Sequence, residues 1–184
     1  MQVSVAQSSN ESIIERSEVG VDLAFSASTF GGNFGIGLKY GVTFGEYFIA
    51  GPSVRYERLW WKNIVYNETQ KGALNVYGGG GFFHARFFNA LFVGAELEVL
   101  KSPYSKTGLI ASQGNGTWAV TGLLGGGFSM EFNEMVRVNA GIMYDVINMT
   151  NSPYRRSYSQ TTTSTGAVKY IPILYRLAFF FPLG

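Results

Sequence analysis

Residues 34–44 read FGIGLKYGVTF, with Phe34, Ile36, Leu38, Tyr40, Val42 and Phe44 at the even positions and Gly35, Gly37, Lys39, Gly41 and Thr43 at the odd ones. Successive side chains of a β-strand point to opposite faces, so this alternation specifies a strand with one apolar face and one small or polar face. The same period of two recurs over 18–27, 91–99, 117–132, 136–146 and 171–181, with Pro172 and Leu174 interrupting the polar face of the last. Two rougher segments, 47–60 and 74–87, set Arg55 and Glu57 opposite Val54 and Tyr56, and His84 and Arg86 opposite Phe83, Ala85 and Phe87. The chain therefore reads as eight strands. Pro52 falls inside the third, where it removes a ladder donor and predicts a bulge.

A five-residue phrase recurs between these segments: FGEYF from Phe44, FNALF from Phe88 and FNEMV from Phe132, at a constant spacing of 44 residues. A fixed period marks a structure built in units. Each copy sits where one strand ends and the next begins, and Gly45, Asn89 and Asn133 bring turn chemistry to the same place in each. The other connections, 61–71, 102–116 and 150–166, are longer and polar, with a short first one at 30–33. Strand, loop, strand and tight turn make one unit, and four units make an up-and-down meander. Its short turns gather at one end and its long loops at the other.

Composition decides what surrounds such a meander. The chain has 24 Gly, 15 Phe, 11 Tyr and 3 Trp among 184 residues and only 14% charged residues. Its mean hydropathy is nevertheless +0.09. No apolar run approaches the ~18 residues of a membrane-spanning helix. A soluble ligand-binding barrel would turn the apolar faces inward. That would crowd most strand aromatics into an interior with room for little beyond its own side chains. The glycine-rich faces with their few charges belong inside, and the bulky faces belong against lipid. The expected fold is an all-β, eight-stranded antiparallel transmembrane barrel over residues 17–184, and Trp60, Trp61, Trp118, Tyr47 and Phe88 suit interfacial girdles. The net charge of +2, with no massed lysine or arginine, argues against a nucleic-acid partner. The absence of cysteine removes disulfides, thiolate nucleophiles and sulfur-ligated metals.

With this pattern the chain resembles the small eight-stranded outer-membrane proteins of Gram-negative bacteria, the group of the OmpX type and the OmpA transmembrane domain. The terminal YRLAFFF is similar to the aromatic last strand that the outer-membrane assembly machinery recognises, with Tyr175, Leu177, Phe179 and Phe181 on one face, although PLG follows the last aromatic. FIAGPSVRYER is similar in style to barrels from Bacteroidota. The resemblance implies an outer-membrane location, contact with outer-membrane lipid and lipopolysaccharide, a monomer, and a leader peptide in whose place Met1 stands. Residues 1–16, polar and without barrel alternation, are expected to form a periplasmic or disordered extension.

Enzymatic chemistry finds little support. His84 is the one histidine; its same-face neighbours on the strand are Phe82 and Arg86, with no serine two residues away as in a PagL-type lipid A deacylase. A nucleophile and base must lie within hydrogen-bond reach. Glu96 and Glu98 could in principle work as acid and base, but nearby arginines make charge balance the better account. No acidic loop has calcium spacing. The GGGG at 78–81 and GGG at 125–127 precede no helix, so they relieve crowding in strands and do not cradle phosphate. No catalytic residue, metal or cofactor is assigned.

Two groups of residues remain. Alternation turns Lys39, Arg55, Arg86, Arg137 and Arg176 inward, together with Glu18, Asp22, Glu57, His84, Glu96, Glu98, Glu131 and Asp145, which predicts a lumenal ion network with pairs between consecutive strands. In the long loops Lys101, Tyr104, Lys106, Tyr154, Arg155, Arg156 and Tyr158 are candidate surface contacts. Three function classes follow: a non-enzymatic barrel contributing envelope structure or surface contacts, a transporter or small pore for small or hydrophobic solutes, and a lipid-modifying enzyme. The first is favoured, because an eight-stranded wall filled by arginines and glutamates leaves little water-filled space.

Overall fold

The computed structural model describes residues 14–28, 31–65, 68–109, 116–133, 135–162 and 168–183. The strands are β1 (Ile14–Ser28), β2 (Gly31–Phe44), β3 (Phe48–Val65), β4 (Glu68–Phe87), β5 (Leu91–Lys101), β6 (Trp118–Phe132), β7 (Val136–Asp145), β8 (Ser159–Thr162), β9 (Val168–Ile171) and β10 (Ile173–Leu183). Eight of them close into an antiparallel barrel, each paired with its neighbour in sequence and β10 returning to β1, while β8 and β9 form a separate two-stranded ribbon. Closure pairs each of the eight strands on both sides, so most of the wall satisfies its own backbone groups.

The alternation becomes inside and outside. Along β5 every second residue is buried. Outward-facing Leu38, Val54, Val93, Leu97, Phe128, Ile142 and Tyr175 are exposed, whereas Lys39, Arg55, Glu98 and Arg176 are buried. An apolar exterior around a charged interior, with every strand paired on both sides, is the construction that spans a bilayer. Ring pairs strengthen the outer wall: Tyr47 stacks on Phe87, Phe48 on Phe83, and Tyr77 meets Trp118 edge-on. Tyr47, Phe88 and Trp118 are exposed, as girdle positions require; the side chain of Trp61 lies outside the described residues.

The three repeated phrases are the tight turns. Gly45, Asn89 and Asn133 all adopt positive φ (57°, 49° and 52°), and Phe88 joins Asn89 at 55°. Two consecutive left-handed residues match the handedness of a two-residue hairpin, closed here by Ala90 N–H donating to the Phe87 carbonyl at 3.0 Å. Both ends of the barrel's strand sequence, the start of β1 and the end of β10, lie at this turn end, where Ser17 pairs with Leu183.

Elsewhere the structure departs from the sequence reading. Segment 61–71 is no loose loop: β3 and β4 run on beyond the barrel as a hairpin, paired from Trp61↔Gly72 to Val65↔Glu68. The 150–166 connection contains a 3-10 turn at Pro153–Arg156 and the β8–β9 ribbon. No bulge forms at Pro52, since the register with β4 is continuous through Pro52↔Gly81 and that with β2 resumes unchanged; only the ladder positions beside Tyr40 and Gly41 are missing. The missing proline N–H is absorbed as a gap in one ladder. β1 begins at Ile14, three residues inside the segment expected to be an extension, and a register shift between Ile14 and Arg16 marks its start. Residues 1–13 lie outside the described residues.

Candidate functional site

Glycine makes the room into which the lumenal charges fold. Across the strand pairings Lys39 stands beside Gly20, Arg55 beside Gly37 and Gly78, Glu57 beside Gly35, His84 beside Gly94, Glu98 beside Gly80 and Arg176 beside Gly141. A Cβ on Gly37 would lie 3.1 Å from the Asp22 Cβ and 3.3 Å from Arg55 Nη1. Long charged side chains fit inside a narrow wall because their cross-strand neighbours have none.

At the centre, Lys39 Nζ contacts Asp22 at 3.0 Å and Glu96 at 2.5 Å. Arg55 bridges Asp22 through Nη2 at 2.9 Å and Glu98 through Nε at 2.8 Å. Arg176 Nη2 stands 3.7 Å from Glu96 and 3.6 Å from Glu98, and His84 Nε2 is 3.3 Å from Glu96. Three permanent cations thus face three carboxylates. Nearer the turns Arg86 holds Glu18 in a bidentate pair, both bonds 2.9 Å. Arg137 pairs with Glu131 and donates to Asn89 Oδ1 at 2.9 Å, so a turn residue also fixes a lumenal arginine.

These pairs correct the expected geometry in three respects. Most reach across the lumen: Arg55 on β3 meets Glu98 on β5 and Asp22 on β1, and Arg86 on β4 meets Glu18 on β1. Asp145 joins no cation among the described residues; it accepts hydrogen bonds from the Tyr158 hydroxyl at 2.6 Å and from the Ile147 and Asn148 N–H groups. Glu57 accepts from Asn33 Nδ2 at 2.6 Å, with no lysine or arginine nitrogen within 4.0 Å among the described residues.

The lumen is also less polar than the sequence implied. Ile49, Phe82, Ala178 and Phe180 form a buried apolar layer toward the turns, with Arg86 over the Phe180 ring and Lys39 over the Phe82 ring at 4.7 and 5.1 Å. Toward the loops Leu59, Val76, Leu100, Leu123, Met143 and Leu174 form a second.

The loop tyrosines require the largest correction. Tyr104, Tyr154 and Tyr158 were expected on the surface, but all three are buried. The 3-10 turn carries Tyr154 down into the barrel mouth, where its hydroxyl donates to Glu98 and accepts from Arg176 Nη2 at 3.3 Å. Ser152 and Tyr158 bond each other at 2.7 Å beside Asp145. Burial pushes both phenols above the ordinary tyrosine range, and for Tyr158 the bond to Asp145 adds to the rise. Lys106 is exposed, Lys101 lies over the Trp118 ring at 5.8 Å, and Arg155 lies over Tyr170 at 5.1 Å; the side chain of Arg156 is outside the described residues. Tyr175, Leu177 and Phe181 face outward from β10 as the alternation required, and Phe179 on the same face is half-buried.

One seam of the wall is incomplete. β1 and β10 pair over seven positions, from Ser17↔Leu183 to Leu23↔Leu177. β1 continues to Ser28 bonded to β2, and β10 starts at Ile173 bonded to β7. Between the unpaired stretches lies a cavity of about 550 Å³ lined by Leu23, Phe25, Tyr175 and Leu177 from the outer face. Asn33, Glu57, Tyr154 and Arg176 line it from the lumen. The faces of Tyr175, Leu177, Glu57 and Arg176 were readable from sequence, but the seam was not, because an unpaired stretch leaves the alternation intact.

No family model matches this chain and no curated protein matches it. Among solved structures it is similar to the Yersinia pestis outer membrane protein Ail, whose backbone structure was determined in a phospholipid bilayer nanodisc. The match spans 91% of this chain and 99% of that one, at 12% identity and a TM-score of 0.45.

Proposed function

We propose that this chain is a non-enzymatic outer-membrane barrel of a Gram-negative bacterium, closed along its axis, which contributes envelope structure and presents its loops at the cell surface. The observation that carries this reading is the filled lumen: Lys39, Arg55 and Arg176 interlock with Asp22, Glu96 and Glu98 between two apolar layers. Buried ion pairs of this kind are stable only when each member keeps its partner, which favours a fixed plug over a water-filled path. His84 supports the non-enzymatic part, since Phe82, Phe92 and Phe180 surround its ring and its Nε2 faces Glu96. The loops support a surface role through exposed Lys106 and half-buried Arg155, while the outward face of β10 fits recognition by the assembly machinery. Reconstitution in a planar bilayer tests the reading. The expected result is no steady conductance at moderate voltage; regular open-pore steps from the unmodified protein would replace the plug with a channel.

A further inference from the structure

We infer that the unpaired seam between β1 and β10 is a lateral binding site for a single-chain zwitterionic amphiphile, entered from the membrane and ending at Arg176 and Glu57. The inference goes beyond the structural role above and does not depend on axial conduction.

Outward-facing and inward-facing residues of a zipped wall cannot line the same cavity. Here Leu23, Phe25 and Tyr175 share one with Glu57, Arg176 and Tyr154, so the wall is open between the two strands. The opening is bounded below by the last pair, Leu23↔Leu177. Its volume of about 550 Å³ falls within the roughly 300–1,000 Å³ of small-ligand pockets. The mouth is apolar and faces lipid, with Phe25 and Tyr175 more than two-thirds exposed. An alkyl chain there would exchange one apolar environment for another while its head reached the lumen.

The inner end sets the chemistry of that head. Arg176 is 92% buried, at 8% relative exposure. Its Nε has no hydrogen-bond partner, and its Nη2 reaches the Tyr154 hydroxyl only at 3.3 Å, with both carboxylates beyond 3.5 Å. A buried guanidinium with spare donors calls for an acceptor, most strongly an anionic oxygen. Glu57 is the complementary case. It is buried at 1% exposure, bonded by Asn33, and without a cation within 4.0 Å among the described residues. The central network balances three cations with three carboxylates, and Glu57, like Asp145, stands outside that balance; of the two only Glu57 lines this cavity. A head group with an anionic oxygen for Arg176 and an ammonium for Glu57 satisfies both at once. A fatty acid would satisfy only the first, and a simple alkylamine only the second.

The test uses the full chain in maltoside micelles, titrated with lysophosphatidylethanolamine and read by native mass spectrometry. A fatty acid of equal chain length is titrated in parallel. Heat-modified gel migration checks that each variant is a folded barrel. Saturable one-to-one binding of the lysolipid is expected, weaker by about tenfold or more in Glu57→Gln, as loss of a charged hydrogen bond implies. Ala24→Trp places a ring in the cavity, which Ala24 lines without contributing to the head contacts, and should abolish binding while the barrel still folds. Absence of saturable binding, or binding unchanged in folded Ala24→Trp, would overturn the site. Tighter binding of the fatty acid would overturn the zwitterionic assignment.

Discussion

Arg86 and Glu18 meet across the lumen through two bonds of 2.9 Å, both side chains about nine-tenths buried. Removing one member of such a pair leaves the other charged in a poorly solvated place, which costs about 3–5 kcal/mol for a fully buried pair. A cavity at the turn end touches both residues, so Arg86→Ala should fall at the lower end of that range. Chemical unfolding from detergent would read it as a lower midpoint. Arg137→Ala should lose less, because its pair with Glu131 is more open to the same cavity. Equal losses at the two positions would mean that burial does not set their worth. The phenols make a second prediction. Tyr154 and Tyr158 hold pKa values above the ordinary ~10, chiefly because burial disfavours the phenolate. A folded pKa raised above the unfolded one gives stability that is complete below the unfolded value and is lost as pH rises through the folded value. The 153–158 segment should therefore stay docked past pH ~10, where exposed tyrosines ionise. Tyrosinate absorbance should show a late-ionising fraction that Tyr154→Phe reduces. A single ionisation step near pH ~10 in the folded barrel would mean that the tyrosines are not docked.

Between strands, the controlling fact is that Lys39, Arg55, Glu57, His84, Glu98 and Arg176 each face a glycine on a neighbouring strand. Gly94 makes that room for the imidazole, since a Cβ there would lie 2.5 Å from His84 Cδ2. Gly94→Ala must push the imidazole off Glu96 and into the Phe82 and Phe92 rings, an overpacking cost of about 1–3 kcal/mol. Its unfolding midpoint should drop; an unchanged midpoint would show that the lumen can repack. The strand pattern and the three turns were legible because period two and left-handed Gly or Asn are local properties. The ion pairs were legible only as faces. Alternation says that Arg55 and Glu98 both point inward, but which carboxylate an arginine meets depends on the tilt and stagger of the closed barrel. Phe82 was legible as a same-face neighbour of His84, but the apolar layer it forms with Phe180 was not. A volume argument keeps large rings out of a narrow lumen, yet Gly20 and Gly41 leave the space these rings occupy. The loops were read as contact surfaces because tyrosine and serine are common in such surfaces. Here the same groups satisfy Glu98 and Asp145 inside the mouth.

At the scale of the molecule the two ends differ in a way that predicts an orientation. One end carries the three tight turns; the other carries the β3–β4 hairpin, the connection from β5 to β6 and the docked segment before β10. In membrane barrels with such asymmetry the short turns face the periplasm. The proteolytic consequence is specific, because cleavage requires an exposed segment that can leave its pairing. Lys106 is exposed in a stretch outside the barrel ladders, whereas Lys71 and Lys169, also exposed, are held in paired strands, and Arg155 is half-buried over Tyr170. Trypsin added to intact cells should therefore cut after Lys106 first. At the opposite end Glu46 is exposed in the first turn, and a glutamate-specific protease should reach it only after the outer membrane is permeabilised. Terminal sequencing of the fragments separates the two cuts. Cleavage at Glu46 in intact cells, with Lys106 protected, would turn the barrel over in the membrane and place the docked tyrosines on the periplasmic side.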